Sequence, residues 1–302
     1  MTEKRITSFD QLISEVRKGK RKKLAIASAE GSEIIEAVKQ ATDDGIVTGV
    51  LIGEQSKIED LCKKKGLDLS QVEIVNATDP ELTAKLAVEM VKQGRAELLM
   101  KGKMGTGTLL KAVLNKENGL RIGAFLSHVA VVEVKSYPKL MLVTDGGMNI
   151  RPDITQKANI LRNAVEVARK LGVEKPKAAC LTAVELVNPD MQETVDAAGL
   201  VKMAERGDIK DVTVDGPIAF DAAIDAEAAR MKGIVSPVAG DADIFLVPDI
   251  ASGNIFVKSL IYLASAKVGG VVVGAGAPIV LLSRSDSAQA KLYSMALGAM
   301  IG

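Results

Sequence analysis

The stretch IFLVPDIASGNIFVK (residues 244–258) contains the structural unit that recurs along the chain. Its apolar start predicts a buried strand, and the apolar positions from Ile255 onward have the spacing of a helix. Ser252-Gly253-Asn254 lies at the predicted transition between them. Serine and asparagine cap helices and glycine turns easily, whereas open N–H groups at a helix start attract phosphate. A simple cap and an anion site are therefore both open at this point.

The same alternation of strand and helix repeats along the chain. Short apolar runs, of which residues 24–28 are the first, each precede a segment with helical spacing. One helix is predicted to begin directly after Asp79, a good N-cap residue. Two longer apolar runs, residues 128–134 and 139–145, flank Tyr137-Pro138 and predict a β-hairpin. Strands alternating with helices predict an α/β fold with largely parallel sheets flanked by helices.

The chain is long enough for two domains. It has 302 residues, and no linker rich in proline, glycine or serine marks a boundary. The interruption at Tyr137-Pro138 is the best candidate for one. We therefore predict an N-terminal α/β domain over residues 1–136 and a second α/β domain over residues 137–282.

Composition argues against several classes of function. The net charge of +1, the absence of tryptophan and an aromatic content of 3% argue against a nucleic-acid or membrane partner. One histidine (His128) and two distant cysteines (Cys62 and Cys180) cannot build a Cys/His zinc site, and no metal is expected. The first 20 residues lack the apolar core of a signal peptide, and no run of about 18 apolar residues occurs. A cytoplasmic protein is expected.

The common nucleotide-binding motifs are incomplete. KGKMGTGT (residues 101–108) has two glycines at the Walker spacing, but Thr108 and Leu109 stand where lysine and serine or threonine are required. Its G-x-G also lacks the third glycine of the Rossmann fingerprint. The sequence therefore does not predict a P-loop or a standard dinucleotide site.

Small polar clusters instead follow five strand-like runs. They are Lys101-Gly102-Lys103, residues 145–149, residues 215–217, residues 249–254 and residues 283–286. The carboxyl ends of parallel strands face the ligand crevice of an open α/β sheet. Five clusters in the same relative place favour binding sites, although each alone is typical of a turn.

Several of these segments resemble the phosphate acyltransferase family. They are PDIASGNIFVK (248–258), VDGPIAFDAAI (214–224), VAGDADIFLVP (238–248) and APIVLLSRSDS (277–287), and the resemblance covers nearly the whole chain. Residues 115–131 and 177–200 look closest to the butyryl branch. The resemblance implies transfer of a short, butyryl or branched-chain acyl group between CoA and inorganic phosphate in a ternary complex. It implies no bound cofactor.

The resemblance also carries expectations about architecture. The family has an isocitrate dehydrogenase-like, two-domain fold with an interdomain cleft, and its members are commonly homodimers. In that fold the last helix returns to the first domain. Residues 283–302 are therefore expected to join the N-terminal domain.

The segment at residues 283–286 is implied to be catalytic. Arg284 offers the planar cationic fork that phosphate requires. Ser283 is expected to orient the thiol or the carbonyl group by a hydrogen bond. Asp286 is the nearest carboxylate and is the predicted general base, while an N-cap or first-turn acid explains it equally well.

Further candidates bind the substrates. Gly253 and Asn254 are expected to offer phosphate N–H donors and a side-chain amide at the helix start. The full set for phosphate or substrate is Ser252, Gly253, Asn254, Asn149 and Asp215, and for CoA it is Lys101 and Lys103. Turn capping remains the alternative for Asn149 and Asp215, and a solvated loop for the two lysines.

Other functions stay open from the sequence. A phosphate acetyltransferase is the closest alternative, because no residue identified above measures the acyl pocket. An oxidoreductase on the related dehydrogenase fold is a second, and a binding module without activity is a third.

Overall fold

The computed structural model describes residues 5–122, 125–281, 283 and 286–302. In chain order its strands are β1 (Lys22–Ala27), β2 (Val47–Gly53), β3 (Glu73–Asn76), β4 (Leu98–Lys101), β5 (Ser127–Glu133), β6 (Met141–Thr144), β7 (Lys177–Leu181), β8 (Thr213–Ile218), β9 (Ile244–Leu246), β10 (Lys267–Val273) and β11 (Ile279–Val280). Its helices are α1 (Phe9–Val16), α2 (Ser32–Asp43), α3 (Gln55–Lys65), α4 (Pro80–Lys92), α5 (Thr106–Val113), α6 (Ile154–Lys170), α7 (Gln192–Glu205), α8 (Phe220–Ile224), α9 (Ala226–Met231), α10 (Ile250–Leu263) and α11 (Ala288–Ile301).

The chain forms two compact units. The N-terminal unit comprises residues 9–124 and 269–302, and the central unit comprises residues 1–8 and 125–268. Each unit contains a run of hydrogen-bonded strands with helices packed on it. The predicted α/β class is confirmed in both.

The strand order of the N-terminal unit creates a switch point. The order is β3-β2-β1-β4-β11-β10, with every neighbouring pair parallel except β10 and β11. The chain builds β1, β2 and β3 outward in one direction, and α4 then returns it to place β4 on the other side of β1. The carboxyl ends of β1 and β4 therefore lie where the direction of winding reverses, which is the preferred ligand position in open α/β sheets.

Helix α11 is the most completely buried helix of the N-terminal unit. Every described residue from Ala290 to Ala299 is buried. Tyr293 stacks on Phe9 of α1 with ring centroids 4.2 Å apart, and α11 also packs on α2. The first turn of α11, which contains Lys291, lies beside the switch point.

The central unit has a mixed sheet. Its order is β5-β6-β9-β7-β8, and all pairs are parallel except β5 and β6. The antiparallel pairing of Ala130 with Val143 confirms the predicted hairpin. The core centres on Phe245 of β9, which is fully buried and contacts the rings of Tyr137 and Phe220.

The compact units divide the chain at other positions than the predicted domains. The sequence predicted residues 1–136 with 283–302 and residues 137–282, whereas the units divide after residues 124 and 268. Strand β5 lies in the central unit because it pairs with β6, and β11 lies in the N-terminal unit because it pairs with β4. The domain division itself stays a prediction.

Candidate active site

A cavity of about 760 Å³ opens at the switch point of the N-terminal unit. We call it the switch-point cavity, and its lining includes Ser28, Lys101, Gly102, Lys103, Ser283 and Lys291. Two strand ends and the segment before α11 thus meet in one place. The structure therefore brings together three of the residues predicted from the sequence, namely Lys101, Lys103 and Ser283.

Gly102 allows the ends of β1 and β4 to approach each other closely. Its N–H donates to the Ala27 carbonyl oxygen at 2.8 Å, and the next N–H, of Lys103, donates to the Ser28 carbonyl oxygen at 2.6 Å. A Cβ atom on Gly102 would lie 2.0 Å from the Ser28 oxygen and 2.4 Å from the Ala27 oxygen. The floor of the cavity can be built this way only with glycine at position 102.

The lysines of the cavity differ in exposure. Lys101 and Lys291 are each 5% exposed, whereas Lys103 is an exposed residue. Lys101 Nζ donates to the Met104 carbonyl oxygen at 3.4 Å, and Lys291 Nζ donates to the Asp286 carbonyl oxygen. Burial lowers the pKa of Lys291, and the carboxylates of Asp286 and Glu33 partly offset that effect. The same lining also carries the carboxylates of Glu30, Glu33, Glu54 and Asp60, so the cavity has charges of both signs.

Lys291 was not among the residues singled out from the sequence. It lies in the first turn of α11, four residues after the Ser287 N-cap. The signal that could have found it is a single charged residue within an otherwise uncharged α11. Its burial and its place in the cavity depend on tertiary packing.

Asp286 holds Ser283 in place. Its carboxylate accepts the Ser283 N–H at 2.8 Å, and its own N–H donates to the Ser283 carbonyl oxygen at 3.2 Å. The N-cap of α11 is Ser287, whose hydroxyl oxygen accepts the N–H of Ala290. Asp286 is therefore one residue too early to be the cap. Arg284 lies outside the described residues.

In the central unit, Asp145 organises the loop of residues 145–149. This carboxylate is 2% exposed. It accepts the N–H groups of His128, Gly147 and Met148 at 3.1, 2.9 and 2.8 Å, and the Asn149 side-chain amide at 2.6 Å. The polar cluster after β6 is thus a loop built around one buried anion.

This loop packs against the first turns of α10. The Asn254 side-chain amide donates to the Gly146 carbonyl oxygen at 3.3 Å. A Cβ atom on Gly253 would lie 2.7 Å from the Gly146 Cα atom, so the two backbones are in direct contact. Asn149, Gly253 and Asn254, predicted from separate clusters, therefore gather around one loop.

The start of α10 differs from the expectation. The helix begins at Ile250 with Asp249 as its N-cap, so Ser252-Gly253-Asn254 lies inside the helix. The Ser252 N–H donates to the Asp249 carboxylate at 2.9 Å, and the Gly253 N–H to the Asp249 carbonyl oxygen at 3.1 Å. The expectation that the Gly253 N–H is open to phosphate is wrong, because the Asp249–Ser252 capping box and the helix itself use these donors.

The Asp249 carboxylate is itself an anion at this helix start. Its hydrogen bonds from the N–H and the hydroxyl of Ser252 hold its pKa below the ordinary value. It occupies the position that a bound phosphate would take at the helix N-terminus. Any role of Ser252 and Asn254 toward phosphate therefore falls to their side chains.

Asp215 lies apart from this group. It is in the middle of β8, and its carboxylate accepts the N–H of Gly216 at 2.8 Å. Its charge adds to the effect of burial, which raises the pKa of the Cys180 thiol to about 12. In the part of the chain that is described, this hydrogen bond does not join Asp215 to α10 or to the loop of residues 145–149.

The described residues contain no group of three histidine, cysteine, aspartate or glutamate side chains that could hold a metal ion. No helix among them is both long and apolar enough to cross a membrane.

Comparison with known proteins identifies the family. The family model described as "Phosphate acetyl/butaryl transferase" matches residues 8–87 and 81–299. The chain belongs to this family. The resemblance stated from the residues is confirmed.

Relatives within the family carry both acyl names. The chain is 45% identical to a phosphate butyryltransferase of Clostridium acetobutylicum, with 98% of each chain covered. It is 42% identical to a phosphate acetyltransferase of Thermotoga maritima, covering 97% of this chain and 99% of that one. Overall identity therefore distinguishes the two acyl classes only weakly.

Solved structures agree on family and fold. A branched-chain phosphotransacylase from Enterococcus faecalis is 37% identical, with a TM-score of 0.82 and coverage of 92% of this chain and 98% of that one. A 4-hydroxythreonine-4-phosphate dehydrogenase from Klebsiella pneumoniae has a TM-score of 0.57 at 10% identity, covering 93% and 99% of the two chains. The second likeness shows the fold alone, and it confirms the expected similarity to a dehydrogenase fold.

Proposed function

We propose that this protein transfers a short-chain acyl group, butyryl or branched-chain, between CoA and inorganic phosphate. The observation that carries the proposal is the family match, which extends over residues 8–299. The 45% identity to a phosphate butyryltransferase and the likeness to a branched-chain phosphotransacylase support the acyl class.

CoA is the proposed ligand of the switch-point cavity. Ligand sites of about 300–1,000 Å³ are typical for molecules of this kind, and this cavity has about 760 Å³. Lys103 is exposed and suits the hydrated phosphates of CoA, while Lys101 lies deeper in the lining. Ser283 in the same lining is the proposed partner of the thiol or the thioester carbonyl group.

The proposed reaction is a direct displacement in a ternary complex. Toward acyl phosphate, a phosphate oxygen attacks the thioester carbon, the carbon–sulfur bond breaks, and sulfur leaves with the electron pair. In reverse, the CoA thiol must first lose its proton, because the thiolate is the nucleophile and a free thiol has a pKa of about 8.5. Asp286 is the proposed acceptor of that proton, and Arg284 the proposed fork for phosphate.

Side chains of the central unit complete the proposed set. Asn254 keeps one side-chain N–H for phosphate beyond its bond to Gly146. The amide N–H groups of Asn149 already donate to Asp145 and Leu126, so this residue offers substrate its Oδ1 atom, and the Ser252 hydroxyl already donates to Asp249. The buried Gly253 lets α10 touch the loop of residues 145–149. Asp215 is proposed with less structural support, since it lies within β8. The substrates are acyl-CoA and phosphate, and no bound cofactor or metal is part of the proposal.

A homodimer is part of the proposal, with α10 as its contact surface. Ile255, Tyr262 and Leu263 of this helix are 66%, 73% and 87% exposed. Apolar side chains exposed together on one helix favour association with another protein surface. Sedimentation of the intact protein at twice the mass of one chain would support this, and sedimentation as a monomer would contradict it.

The cytoplasm is the proposed compartment. The reaction needs CoA with a reduced thiol, which a reducing compartment maintains. Cys62 and Cys180 are both free and buried, as is usual for proteins of such a compartment.

Phosphate-dependent release of free thiol tests the proposed function. Acetyl-, propionyl-, butyryl- and isobutyryl-CoA are compared side by side, with and without phosphate. We expect release that requires phosphate and is fastest with butyryl- or isobutyryl-CoA. A fastest rate with acetyl-CoA would identify an acetyltransferase instead. No phosphate-dependent release from any thioester would contradict the proposal.

The variant Asp286→Asn tests the general base. In the direction that consumes CoA thiol, we expect a loss of about 10²-fold at low pH, because asparagine cannot accept the proton. The loss should shrink as the pH rises past about 8.5, where the thiol ionises unaided. A pH–rate profile parallel to that of the wild type, together with a lower Tm, would instead assign Asp286 to holding Ser283.

A further inference from the structure

Lys291 is a buried cation in an otherwise uncharged helix. It is the single charged residue between Ala288 and Ile301, and it is 5% exposed. Burying an ammonium group is costly unless an anion or several acceptors compensate. An apolar residue at this position would be buried at a lower free-energy cost. We therefore look for a role of the charge in the cavity that Lys291 lines.

The described surroundings compensate this charge only in part. Nζ donates to one main-chain oxygen, that of Asp286, whereas an ammonium group has three N–H donors. The Asp286 carboxylate, whose charge acts on Lys291, already accepts the N–H of Ser283. An anionic atom of a ligand in the switch-point cavity would complete the compensation.

We propose that the Lys291 ammonium group stabilises the thiolate of CoA in the switch-point cavity. This inference rests on the proposed function and adds a substrate-contacting residue to it. The thiol proton leaves to the proposed base, Asp286, and Lys291 keeps its own proton throughout. In the opposite direction the same ammonium group receives the sulfur that leaves the thioester with its electron pair.

The position of Lys291 favours sulfur over phosphate. Its side chain is nearly inaccessible, so only the narrow end of a ligand can reach its tip, and the thiol is the narrow end of CoA. A phosphate group spreads its charge over several oxygens and is best held by a planar fork such as that of arginine, whereas lysine is a point charge. One ammonium group matches one thiolate.

The charged groups that face Lys291 come from several elements. The charges of Asp286 before α11 and of Glu33 on α2 act on it directly, and the cavity lining adds the charged groups of Glu30, Glu54, Lys57, Asp60, Lys101 and Lys103. Burial lowers the pKa of Lys291, and Glu33 and Asp286 act in the opposite direction. A thiolate beside Nζ would favour the charged form of Lys291, as these carboxylates do. The charged lysine would in turn favour the thiolate form of CoA.

Binding of CoA and of desulfo-CoA, which lacks the thiol, tests the proposal without relying on turnover. Dissociation constants are measured by calorimetry at about pH 8 for the wild type, Lys291→Met, Lys291→Gln and Lys291→Arg. Lys111→Met is the matched control, because Lys111 is an exposed lysine of the same unit that pairs with Glu81. Circular dichroism and Tm establish that each variant is folded.

At about pH 8 we expect the wild type to prefer CoA over desulfo-CoA by about threefold, the gain that follows when the pKa of the bound thiol falls by about one unit from its free value of about 8.5. Lys291→Met and Lys291→Gln should lose this preference, while Lys291→Arg should keep most of it and Lys111→Met all of it. The side chain of the glutamine variant can still donate to the Asp286 oxygen. If this variant nevertheless loses the preference for CoA, the preference depends on the charge of Lys291 and not on its hydrogen bond.

Three results would overturn the inference. The preference could persist in folded Lys291→Gln, it could be absent from the wild type, or the lysine variants could raise the KM for phosphate and leave the two dissociation constants unchanged. Failure of the proposed function would look different. The wild type would then bind CoA and release no thiol in the presence of phosphate.

Discussion

Gly102→Ala is expected to destabilise the N-terminal unit strongly and to abolish CoA binding. The added Cβ atom would lie 2.0 Å from one carbonyl oxygen and 2.4 Å from another, both on the backbone that leaves β1. Backbone cannot rotate away as a side chain can, so β1 and β4 must separate at their carboxyl ends. Overpacking typically costs 1–3 kcal/mol, and we expect at least about 3 kcal/mol here.

The matched control for this variant is Gly107→Ala. Gly107 lies in α5, and a Cβ atom there would meet nothing within 4 Å. Alanine is the better helix former by about 1 kcal/mol, so the control should keep or raise the Tm. Urea unfolding and CoA calorimetry on both variants provide the measurement. A Gly102→Ala protein with the Tm and the CoA affinity of the wild type would contradict the described cavity floor.

The fold was predictable where local signals were strong and unopposed. The apolar run at residues 24–28 predicted a strand, and β1 spans Lys22–Ala27. Helix α4 begins after Asp79 as predicted, and the Asp79 side chain accepts the N–H of Leu82. The rule that ligands bind at strand ends also predicted that residues from separate clusters would meet. Lys101 and Lys103 do line one cavity with Ser283.

The start of α10 shows where local signals compete. Asp249 and Ser252 are both good N-cap residues, and the sequence alone does not choose between them. The reciprocal hydrogen bonds of the capping box place the cap at Asp249, so the helix starts earlier in the chain than Ser252. The N–H groups that were expected to bind phosphate are thereby used within the helix. Recognising the box before the apolar run would have given the correct start.

Lys291 shows what sequence patterns cannot supply. A lysine four residues after Ser287 is typical of an exposed helix position, and nothing nearby in the sequence indicates burial. Its environment comes from α2 and from the end of β4, which are remote in sequence. Burial of a charge is a property of tertiary packing, so this candidate emerged only from the structure.

Asp145→Ala is expected to lower both stability and activity by large amounts. The buried carboxylate accepts four hydrogen bonds, three of them from backbone N–H groups. Each buried donor left without an acceptor costs about 1–3 kcal/mol, and water can enter to satisfy some of them, so we expect a net loss of at least about 3 kcal/mol. The loop that holds Asn149 and Gly146 would lose its centre, and kcat/KM should fall by about 10²-fold or more.

Two further variants separate the charge of Asp145 from its shape and from general effects. Asp145→Asn keeps one oxygen for the N–H groups of Gly147 and Met148, but turns an amide donor toward the donors of His128 and Asn149, so its loss should be intermediate. Asp190→Ala removes an exposed aspartate of the same unit and should leave the Tm and the rate unchanged. If Asp145→Ala matched Asp190→Ala in thermal unfolding, the buried carboxylate would not be the centre of this loop. If Asp145→Ala lost stability but kept the wild-type rate, the loop of residues 145–149 would not take part in the reaction, and Asn149 and Asn254 would have to be withdrawn as substrate ligands.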